Sequence, residues 1–249
     1  MALLELTQVT KRYDKQILFP IDLKINENEI VGIVGESGCG KSTLGRLLAH
    51  IESPSSGNIL FDGHLFQEKK DRQALQIIFQ NPIESFSPRM KIKQFLYEPY
   101  HYFFHLSKKE ALPKVQVILK QVGLDETCLE KYPHELSGGQ LQRIAIARAL
   151  IIQPKLLICD EITSSIDQVI QKDIESLLKD FVQATQASLV FISHDFSLIQ
   201  SLCKRILVIK DGQIIENCDV KALPLSQNEE VKKLIQASYL QKEELALNW

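Results

Sequence analysis

Hydrophobic positions along the chain form two kinds of pattern, one typical of strands and one typical of helices. Four short apolar runs are typical of strands buried on both faces of a parallel sheet, and they occupy residues 30–34, 156–159, 189–192 and 205–209. Apolar residues at helical spacing lie between such runs, and two of these stripes are Leu141, Ile144, Ala145, Ala149 and Ile152, and Ile170, Ile174, Leu177, Leu178 and Phe181. This alternation predicts an α/β domain with a largely parallel core sheet.

Other patterns predict two additions to this core. Near the N-terminus, a period close to two at residues 4–9 and apolar runs at 17–19 and 21–25, separated by Pro20, predict an antiparallel β subdomain. Residues 83–152 are mostly helical in pattern, with a capping box from Ser107 to Glu110 and with Pro113 expected to delay or kink that helix. We predict one domain over residues 1–249, with an inserted helical subdomain at roughly 83–152 and a C-terminal tail at roughly 218–249.

Composition and charge narrow the classes of function. The formal net charge is −2, from 29 Lys and Arg against 31 Asp and Glu, so there is no global attraction to nucleic acid. The five cysteines are scattered without the spacing of a metal or disulfide site, which favours a reducing cytoplasm. The N-terminus does not have the pattern of a signal peptide, and no apolar run approaches the length that spans a bilayer. We therefore expect a cytoplasmic protein.

One glycine-rich segment has the spacing of a phosphate-binding loop. It follows the predicted strand 30–34 and reads Gly35, Glu36, Ser37, Gly38, Cys39, Gly40, Lys41 and Ser42, with Thr43 continuing into a helical pattern. The glycines allow successive backbone amides to turn towards phosphate oxygens, and a helix N-terminus favours an anion. Lys41 is expected to neutralise the β- and γ-phosphates, and the Ser42 hydroxyl to bind Mg²⁺.

Cys39 lies inside this loop. A small side chain is tolerated at such a position, and phosphoryl transfer needs no thiol. Because backbone amides that favour anions also favour a thiolate, the loop is expected to lower the pKa of Cys39. A thiol alkylator should then block nucleotide binding, and bound nucleotide should protect the thiol.

Polar residues follow two of the predicted buried strands. Strand 156–159 runs directly into Asp160 and Glu161, whose side chains should point in opposite directions and have different tasks. Asp160 is suited to Mg²⁺, and Glu161 to polarising the water that attacks the γ-phosphate. His194 follows strand 189–192, at the end of the sheet where α/β proteins bind ligands, and is suited to donating a hydrogen bond to a γ-phosphate oxygen.

A second glycine motif precedes an amphipathic helix. Its residues are Ser137, Gly138, Gly139 and Gln140, with Ser137 as the expected N-cap. The helix N-terminus is suited to an anion, although one nucleotide already has a cradle in the Lys41 loop. Two alternatives are therefore open: Ser137 only caps a helix, or it contacts a nucleotide held by another copy of the domain.

The motifs together resemble the ATP-binding-cassette family. Residues 136–140 are similar to its signature sequence, and the Lys41 loop, Gln80, Asp160, Glu161, residues 164–167 and His194 occur in the family's order. The resemblance implies a P-loop NTPase fold, ATP and Mg²⁺ as ligands, and ATP hydrolysis coupled to transmembrane transport. It also implies that two cassettes pair head to tail, so that Ser137, Gly138, Gly139 and Gln140 close over the γ-phosphate bound by the other cassette's Lys41 loop.

The same resemblance implies further roles. Tyr13 matches the aromatic residue that stacks on adenine, and Gln80 matches the residue that senses Mg²⁺ and the attacking water and connects to the membrane partner. Asp167 matches the residue that links the two sites across the dimer, and His194 matches the switch histidine. Three positions depart from the family pattern: Ile162 replaces the usual Pro, and Ser165 and Ile166 replace the usual Ala-Leu.

Residues 79–90 and 132–140 resemble the importer ATPases for peptides, nickel and metal-opine complexes. This resemblance implies a peripheral subunit on the cytoplasmic face of a bacterial cell membrane. Its partners would be two membrane-spanning permeases, an extracytoplasmic substrate-binding protein and a second cassette, either a copy of this chain or a sister ATPase, and no nucleic acid. One alternative is a soluble cassette acting on ribosomes or DNA, and another is a GTPase or small-molecule kinase, which leaves residues 136–140 unexplained.

Overall fold

A computed structural model describes residues 1–163 and 168–236. Asp167, Ser165 and Ile166 lie outside the described residues, as does the tail from residue 237 onwards. The described chain forms two compact units. Unit 1 contains Met1–Phe66 and the described part of Ser188–Trp249, and unit 2 contains the described part of Gln67–Ala187.

The described residues contain ten strands: β1 (Ala2–Arg12), β2 (Gln16–Asn26), β3 (Ile30–Val34), β4 (Ser56–Phe61), β5 (His64–Leu65), β6 (Leu75–Ile78), β7 (Leu156–Asp160), β8 (Ser188–Ile192), β9 (Arg205–Lys210) and β10 (Gln213–Asp219). They also contain seven α-helices: α1 (Lys41–Leu48), α2 (Glu68–Asp71), α3 (Ile92–Phe104), α4 (Lys108–Gln121), α5 (Gly138–Ile151), α6 (Gln168–Thr185) and α7 (Phe196–Leu202). Short 3₁₀ turns occupy Pro82–Ser85, Glu126–Glu130, Pro133–Glu135 and Leu223–Leu225, and residues 229–236 are helical.

Unit 1 contains an antiparallel sheet and a mainly parallel sheet. The antiparallel sheet has the order β2-β1-β4-β5, and the strands of unit 1 in the other sheet have the order β10-β9-β3-β8. β3 pairs in parallel with both β8 and β9, and β10 pairs antiparallel with β9. The central strand β3 is almost completely buried, as its continuous apolar run predicts. The predicted α/β class and the antiparallel N-terminal strands are confirmed.

Pro20 does not separate two strands. β2 runs without interruption from Gln16 to Asn26, so the prediction of two short strands is wrong. The strand lies at the edge of its sheet, where a residue without an N–H breaks no inter-strand bond on the open side. The register against β1 also shifts between the pairs Val9–Ile21 and Lys11–Leu18, which brackets Pro20 with a bulge.

Unit 2 contains the parallel pair β6 and β7 together with helices α3 to α6. The predicted capping box is confirmed: Ser107 Oγ accepts from the Glu110 N–H, and Glu110 Oε2 accepts from the Ser107 N–H at 2.9 Å. Pro113 lies inside α4, which begins at Lys108 nonetheless, so the proline does not delay the helix. Apolar residues of α3, α4 and α5, including Leu96, Leu119 and Ile144, are fully buried.

Among the described residues, none of the helices is long and apolar enough to cross a membrane.

Candidate functional site

The glycine-rich segment forms a loop between β3 and α1, as its spacing predicts. Gly35 starts the loop in close contact with β9, because a Cβ built on this residue would lie 2.2 Å from the Ile209 carbonyl oxygen. No side chain fits there without a shift of the backbone. Glu36, Ser37 and Gly38 are exposed, whereas Cys39 and Gly40 are buried. The exposed part of the loop therefore leads into the N-terminus of α1, which favours an anion.

Lys41 is the first residue of α1, and its side chain turns back into the loop. Its Nζ donates hydrogen bonds of 2.9 Å to the carbonyl oxygens of Gly35 and Glu36. Only 4% of the residue is exposed, so the ammonium group is held in a fixed position inside the loop. Ser42 and Thr43 follow it in the first turn of the helix and are half-buried. The loop thus combines a fixed positive charge with a helix N-terminus, which is the combination that binds phosphate.

The Cys39 thiol differs from the sequence-based expectation. Burial raises its pKa above the ordinary value, and the nearby Lys41 charge only partly offsets this effect. The expectation of a lowered pKa is therefore wrong, because loss of contact with water disfavours the thiolate more than the lysine stabilises it.

We expect Cys39 to react with iodoacetamide at neutral pH at least about tenfold more slowly than glutathione, since the thiolate is the reactive form. The rate of alkylation of Cys39 should continue to increase above pH 9, because the pKa of this thiol lies above its ordinary value of 9.0. Mass spectrometry of the peptide that contains residue 39 measures the rate, and Cys39→Ala identifies that peptide. Labelling as fast as that of glutathione would contradict the buried, protonated thiol.

Gly212, which the sequence analysis missed, lies in the turn between β9 and β10 and forms a hydrogen bond with the glycine-rich loop. Its N–H donates to the Cys39 carbonyl oxygen at 3.0 Å, and its carbonyl oxygen accepts from the Phe19 N–H at 3.0 Å. The residue has φ 75°, and a Cβ would lie 2.1 Å from the Ile17 carbonyl oxygen. The dipeptide Asp211-Gly212 after the predicted strand 205–209 is a turn signal, but no sequence pattern reveals that the turn supports the loop.

His194 lies beyond β8, which is the parallel neighbour of β3. Two anchored residues flank it. The Ser193 N–H donates to the Ile33 carbonyl oxygen at 3.1 Å, and Asp195 Oδ1 caps α7 by accepting from the Ser197 N–H at 2.8 Å. His194 itself is exposed. Because adjacent parallel strands end at the same edge, His194 and the Lys41 loop share one edge of unit 1.

Tyr13 lies in the turn between β1 and β2, and 50% of it is exposed. Its hydroxyl donates a hydrogen bond to Glu52, and the Lys11 Nζ lies 4.9 Å from the centre of its ring. Burial and the Glu52 carboxylate raise the pKa of Tyr13, while Arg46 and Thr43, both on α1, act in the opposite direction. Tyr13 is therefore next to the helix that begins with Lys41. Glu52 belongs to no recognisable motif and was missed from sequence.

In unit 2, the two predicted acidic residues have different environments. Asp160 is the last residue of β7 and only 3% exposed, whereas Glu161 is half-buried. The predicted reason for this difference is wrong, since the strand ends at Asp160 and does not include Glu161. Glu161 instead has φ 47°, in the left-handed region that non-glycine residues rarely occupy. Such conformations concentrate at functional sites.

Gln80 and Glu161 are in direct contact. Gln80 Nε2 donates to Glu161 Oε2 at 2.9 Å, although 81 positions separate the two residues in the chain. β6 and β7 are parallel neighbours, so the segments that follow them meet at one edge. The structure thus brings together two of the site residues that the sequence analysis selected. A glutamine amide that donates to one carboxylate oxygen fixes the orientation of the carboxylate.

The second glycine motif begins α5. Ser137 Oγ accepts from the Gln140 N–H at 3.3 Å, and Gln140 Oε1 accepts from the Ser137 N–H at 3.0 Å. The predicted N-cap is therefore confirmed, as part of a capping box. Ser137 and Gly138 are exposed, and no atom lies within 4 Å of a Cβ built on Gly138. The helix N-terminus is thus open to a ligand from outside the chain.

The side chains predicted to bind a divalent cation differ in kind from a cluster of His, Cys, Asp and Glu. Within residues 1–163 and 168–236, the structure contains no cluster of three or more His, Cys, Asp and Glu side chains that would hold a metal. The predicted ligands Ser42, Gln80 and Asp160 instead offer hydroxyl, amide and carboxylate oxygens. Mg²⁺ prefers oxygen ligands and keeps several of its bound water molecules. Three oxygen ligands from the protein therefore fit Mg²⁺ better than they fit a softer metal.

The chain was compared with known proteins. The family model described as ABC transporter matches residues 18–164. The nickel import ATP-binding protein NikE of Escherichia coli (strain K12) is 41% identical over 212 residues, covering 83% of this chain and 79% of the relative. The protein of the same name from Shigella boydii serotype 4 (strain Sb227) is 42% identical with the same coverage.

Solved structures agree with these relatives. The chain is similar to cbiO1 from Clostridium perfringens, part of the ABC transporter complex cbiONQ, with a TM-score of 0.76, 28% identity and coverage of 97% of this chain and 99% of cbiO1. It is also similar to the ATP-binding cassette MJ0796 in a dimeric post-hydrolysis state bound to ADP and Pi, with a TM-score of 0.80, 28% identity and coverage of 87% and 98%. The chain belongs to the ABC transporter family, as an ATP-binding and ATP-hydrolysing subunit similar to the importers of the nickel and peptide branch.

Proposed function

We propose that this chain hydrolyses ATP to drive a bacterial importer for nickel. The relatives named for nickel import support this substrate, and residues 79–90 and 132–140 resemble the branch that also transports peptides and metal-opine complexes. The alternative of a soluble cassette acting on ribosomes or DNA finds no support among these relatives. The ATPase itself is not expected to touch the transported ion, because the binding protein and the permeases select the substrate.

The proposed assembly contains two membrane-spanning permeases, an extracytoplasmic substrate-binding protein and a second cassette. The chain would lie at the cytoplasmic face of the membrane as a peripheral subunit. In this arrangement the exposed N-terminus of α5, with Ser137, Gly138, Gly139 and Gln140, meets the γ-phosphate held by the other cassette, and Asp167 links the two sites. ATP binding then closes the cassette pair, and hydrolysis reopens it.

Nucleotide binding is proposed to centre on the Lys41 loop. The amides of Gly35, Glu36, Ser37, Gly38, Cys39 and Gly40, with those of Ser42 and Thr43, surround the phosphates. The Lys41 ammonium exchanges its two carbonyl partners, Gly35 and Glu36, for oxygens of the β- and γ-phosphates. A hydrogen bond from an ammonium group to an anionic phosphate oxygen is stronger than one from the same group to a neutral carbonyl oxygen. Tyr13 stacks on the adenine, and His194 donates to the γ-phosphate.

Ser42, Gln80 and Asp160 would hold Mg²⁺, which when bound offsets the negative charge of the phosphate oxygens. Glu161 accepts a proton from the attacking water as the water oxygen bonds to the γ-phosphorus. The bond between that phosphorus and the bridging oxygen breaks, and ADP leaves with the electron pair. Gln80 orients both the carboxylate and the water. Glu161 is therefore the general base of this proposal.

The observation that carries the proposal is the 2.9 Å hydrogen bond between Gln80 and Glu161. It links the proposed base to the segment around Gln80, the residue that the family resemblance assigns to the connection with the membrane partner. A shift of that segment would change the orientation of the carboxylate. The contact thus supplies a physical route by which permeases regulate hydrolysis.

Measurements of uptake by cells test which substrate the importer transports. Deleting this chain should abolish energy-dependent uptake of Ni²⁺ and leave uptake of a dipeptide unchanged, and the wild-type chain should restore it. Loss of dipeptide uptake alone would assign the chain to peptide transport and overturn the nickel proposal. If both uptakes persisted after the deletion, the importer role itself would be contradicted.

A further inference from the structure

Glu52 occupies the centre of a charged cluster at the C-terminal end of α1. Its carboxylate accepts a hydrogen bond from the Tyr13 hydroxyl, lies 3.0 Å from the Lys11 Nζ and 3.6 Å from Arg46 Nη1. The Glu52 side chain is 22% exposed and that of Lys11 is 13% exposed. Three partners therefore converge on one partly buried carboxylate, beside a residue proposed to bind the base.

The backbone around this cluster is held together as well. Lys11 Nζ donates to the Ser53 carbonyl oxygen at 2.9 Å, and the Ser55 N–H donates to the Thr10 carbonyl oxygen at 2.9 Å. The turn that contains Glu52 is joined to α1, because the Ile51 N–H donates to the Arg46 carbonyl oxygen at 2.9 Å. The segment that carries Tyr13 is thus fastened to the same helix that begins at Lys41.

The charge state of Glu52 suits this position. Burial acts to raise the pKa of Glu52, but hydrogen bonds from Tyr13 and Lys11 and the charges of Lys11 and Arg46 outweigh it and hold the pKa below its ordinary value. The carboxylate stays ionised at neutral pH and acts as an acceptor. Because the Tyr13 hydroxyl donates to this fixed carboxylate, the Tyr13 side chain has little rotational freedom left. The entropy cost of ordering its ring therefore does not have to be met when a ligand binds.

The two faces of the Tyr13 ring are not equivalent. The Lys11 ammonium lies over one face, 4.9 Å from the ring centre, within the range of a cation–π contact. Half of the residue is nevertheless exposed. A planar base can therefore stack on the opposite face, where a ring of fixed orientation is a better platform than a rotating one.

We propose that Glu52 is a positioning residue for the adenine base, which it serves by fixing the Tyr13 ring in the stacking orientation. The inference rests on the proposed role of Tyr13 and deepens it. Glu52 acts through the tyrosine hydroxyl and does not touch the nucleotide. Its effect should therefore appear only with ligands that carry a base.

Binding of ATP and of inorganic tripolyphosphate distinguishes this role of Glu52 from a merely structural one. Glu52→Ala should raise the Kd for ATP about threefold to tenfold, because the ring of Tyr13 is no longer fixed for stacking. The Kd for inorganic tripolyphosphate, which has no base, should change less than about twofold. Glu52→Gln keeps a hydrogen-bond acceptor and should restore most of the ATP affinity. Equal weakening of both ligands would mean that Glu52 only supports the fold, and would overturn the proposal.

A double-mutant cycle with Tyr13→Phe, which lacks the hydroxyl but keeps the ring, tests whether Glu52 acts through the Tyr13 hydroxyl. Glu52→Ala should have no further effect on ATP binding in the Tyr13→Phe background, and additive effects would contradict the proposal. The matched control is Glu5→Ala, which removes another glutamate of unit 1, paired with Lys24 at 2.7 Å. This control should leave both Kd values unchanged.

Tyr13→Ala distinguishes failure of the inference from failure of the proposed base-binding role. Loss of stacking should raise the Kd for ATP about fivefold or more and leave tripolyphosphate binding unchanged. If Tyr13→Ala has no effect on ATP, Tyr13 does not bind the base and both statements fall. If Tyr13→Ala weakens ATP binding but Glu52→Ala does not, only the positioning role of Glu52 is overturned.

Discussion

Replacing Glu161 by Gln should lower the rate of ATP hydrolysis by about 100-fold or more, because the amide cannot accept the proton of the attacking water. The affinity for ATP should change little, since the Lys41 loop that binds the phosphates is unaltered. The substitution keeps the size of the side chain, and its amide group is still able to pair with Gln80. Phosphate release and equilibrium binding of ATP, measured on the same preparation, give the two quantities.

With hydrolysis blocked, the Glu161→Gln chain should also accumulate as a closed pair in the presence of ATP, which its molar mass in solution reveals. The matched control is Glu126→Gln, because Glu126 is exposed and accepts from Gln116 Nε2 at 2.8 Å in the same unit. Glu126→Gln should hydrolyse ATP at the wild-type rate. Near wild-type hydrolysis by Glu161→Gln would remove Glu161 from the mechanism.

Replacing Lys41 by Ala should weaken ATP binding itself, by about tenfold to 100-fold. The buried ammonium is the positive charge fixed inside the loop, and hydrogen bonds to a charged group contribute about 1.5–3 kcal/mol each. Isothermal titration with ATP measures the change. Hydrolysis should fall as well, so this variant differs from Glu161→Gln in losing both binding and turnover.

A lysine of the same unit serves as the control for this second prediction. Lys24 is exposed and pairs with Glu5, and Lys24→Ala should bind ATP with wild-type affinity. The fold of the Lys41→Ala chain is checked by its thermal unfolding, because Gly35 and Glu36 lose a hydrogen-bond donor to their carbonyl oxygens. An ATP affinity equal to that of the wild type, in a folded chain, would show that Lys41 does not contact the phosphates.

The sequence predicts those strands, loops and helix caps that are specified by residues adjacent to one another in the chain. The run at residues 30–34 matches β3, and the glycine-rich spacing identified the loop that follows it. The Ser137 cap was predictable because a serine followed three residues later by a glutamine satisfies two amides at a helix start. In each case neighbouring residues supply the decisive contacts.

The expectations that were wrong or missing depend on contacts between distant segments. Pro20 is tolerated inside β2 because the strand lies at a sheet edge, which the local sequence does not reveal. Burial of the Cys39 thiol reverses the expected direction of its pKa. Glu52 reaches Tyr13 across 39 positions, and Gly212 contacts the loop through a turn near the other end of the chain. Such contacts become visible only in the fold.

If hydrolysis by this chain powers transport, Ni²⁺ uptake and phosphate release must depend on the same residue, and both can be measured at once in one assay. The assay uses lipid vesicles that contain the assembled importer with wild-type, Glu161→Gln or Glu126→Gln chains. We predict that uptake and phosphate release both stop with Glu161→Gln and both persist with Glu126→Gln. Continued ATP-dependent uptake of Ni²⁺ by the Glu161→Gln assembly, in the absence of phosphate release, would show that hydrolysis does not power transport.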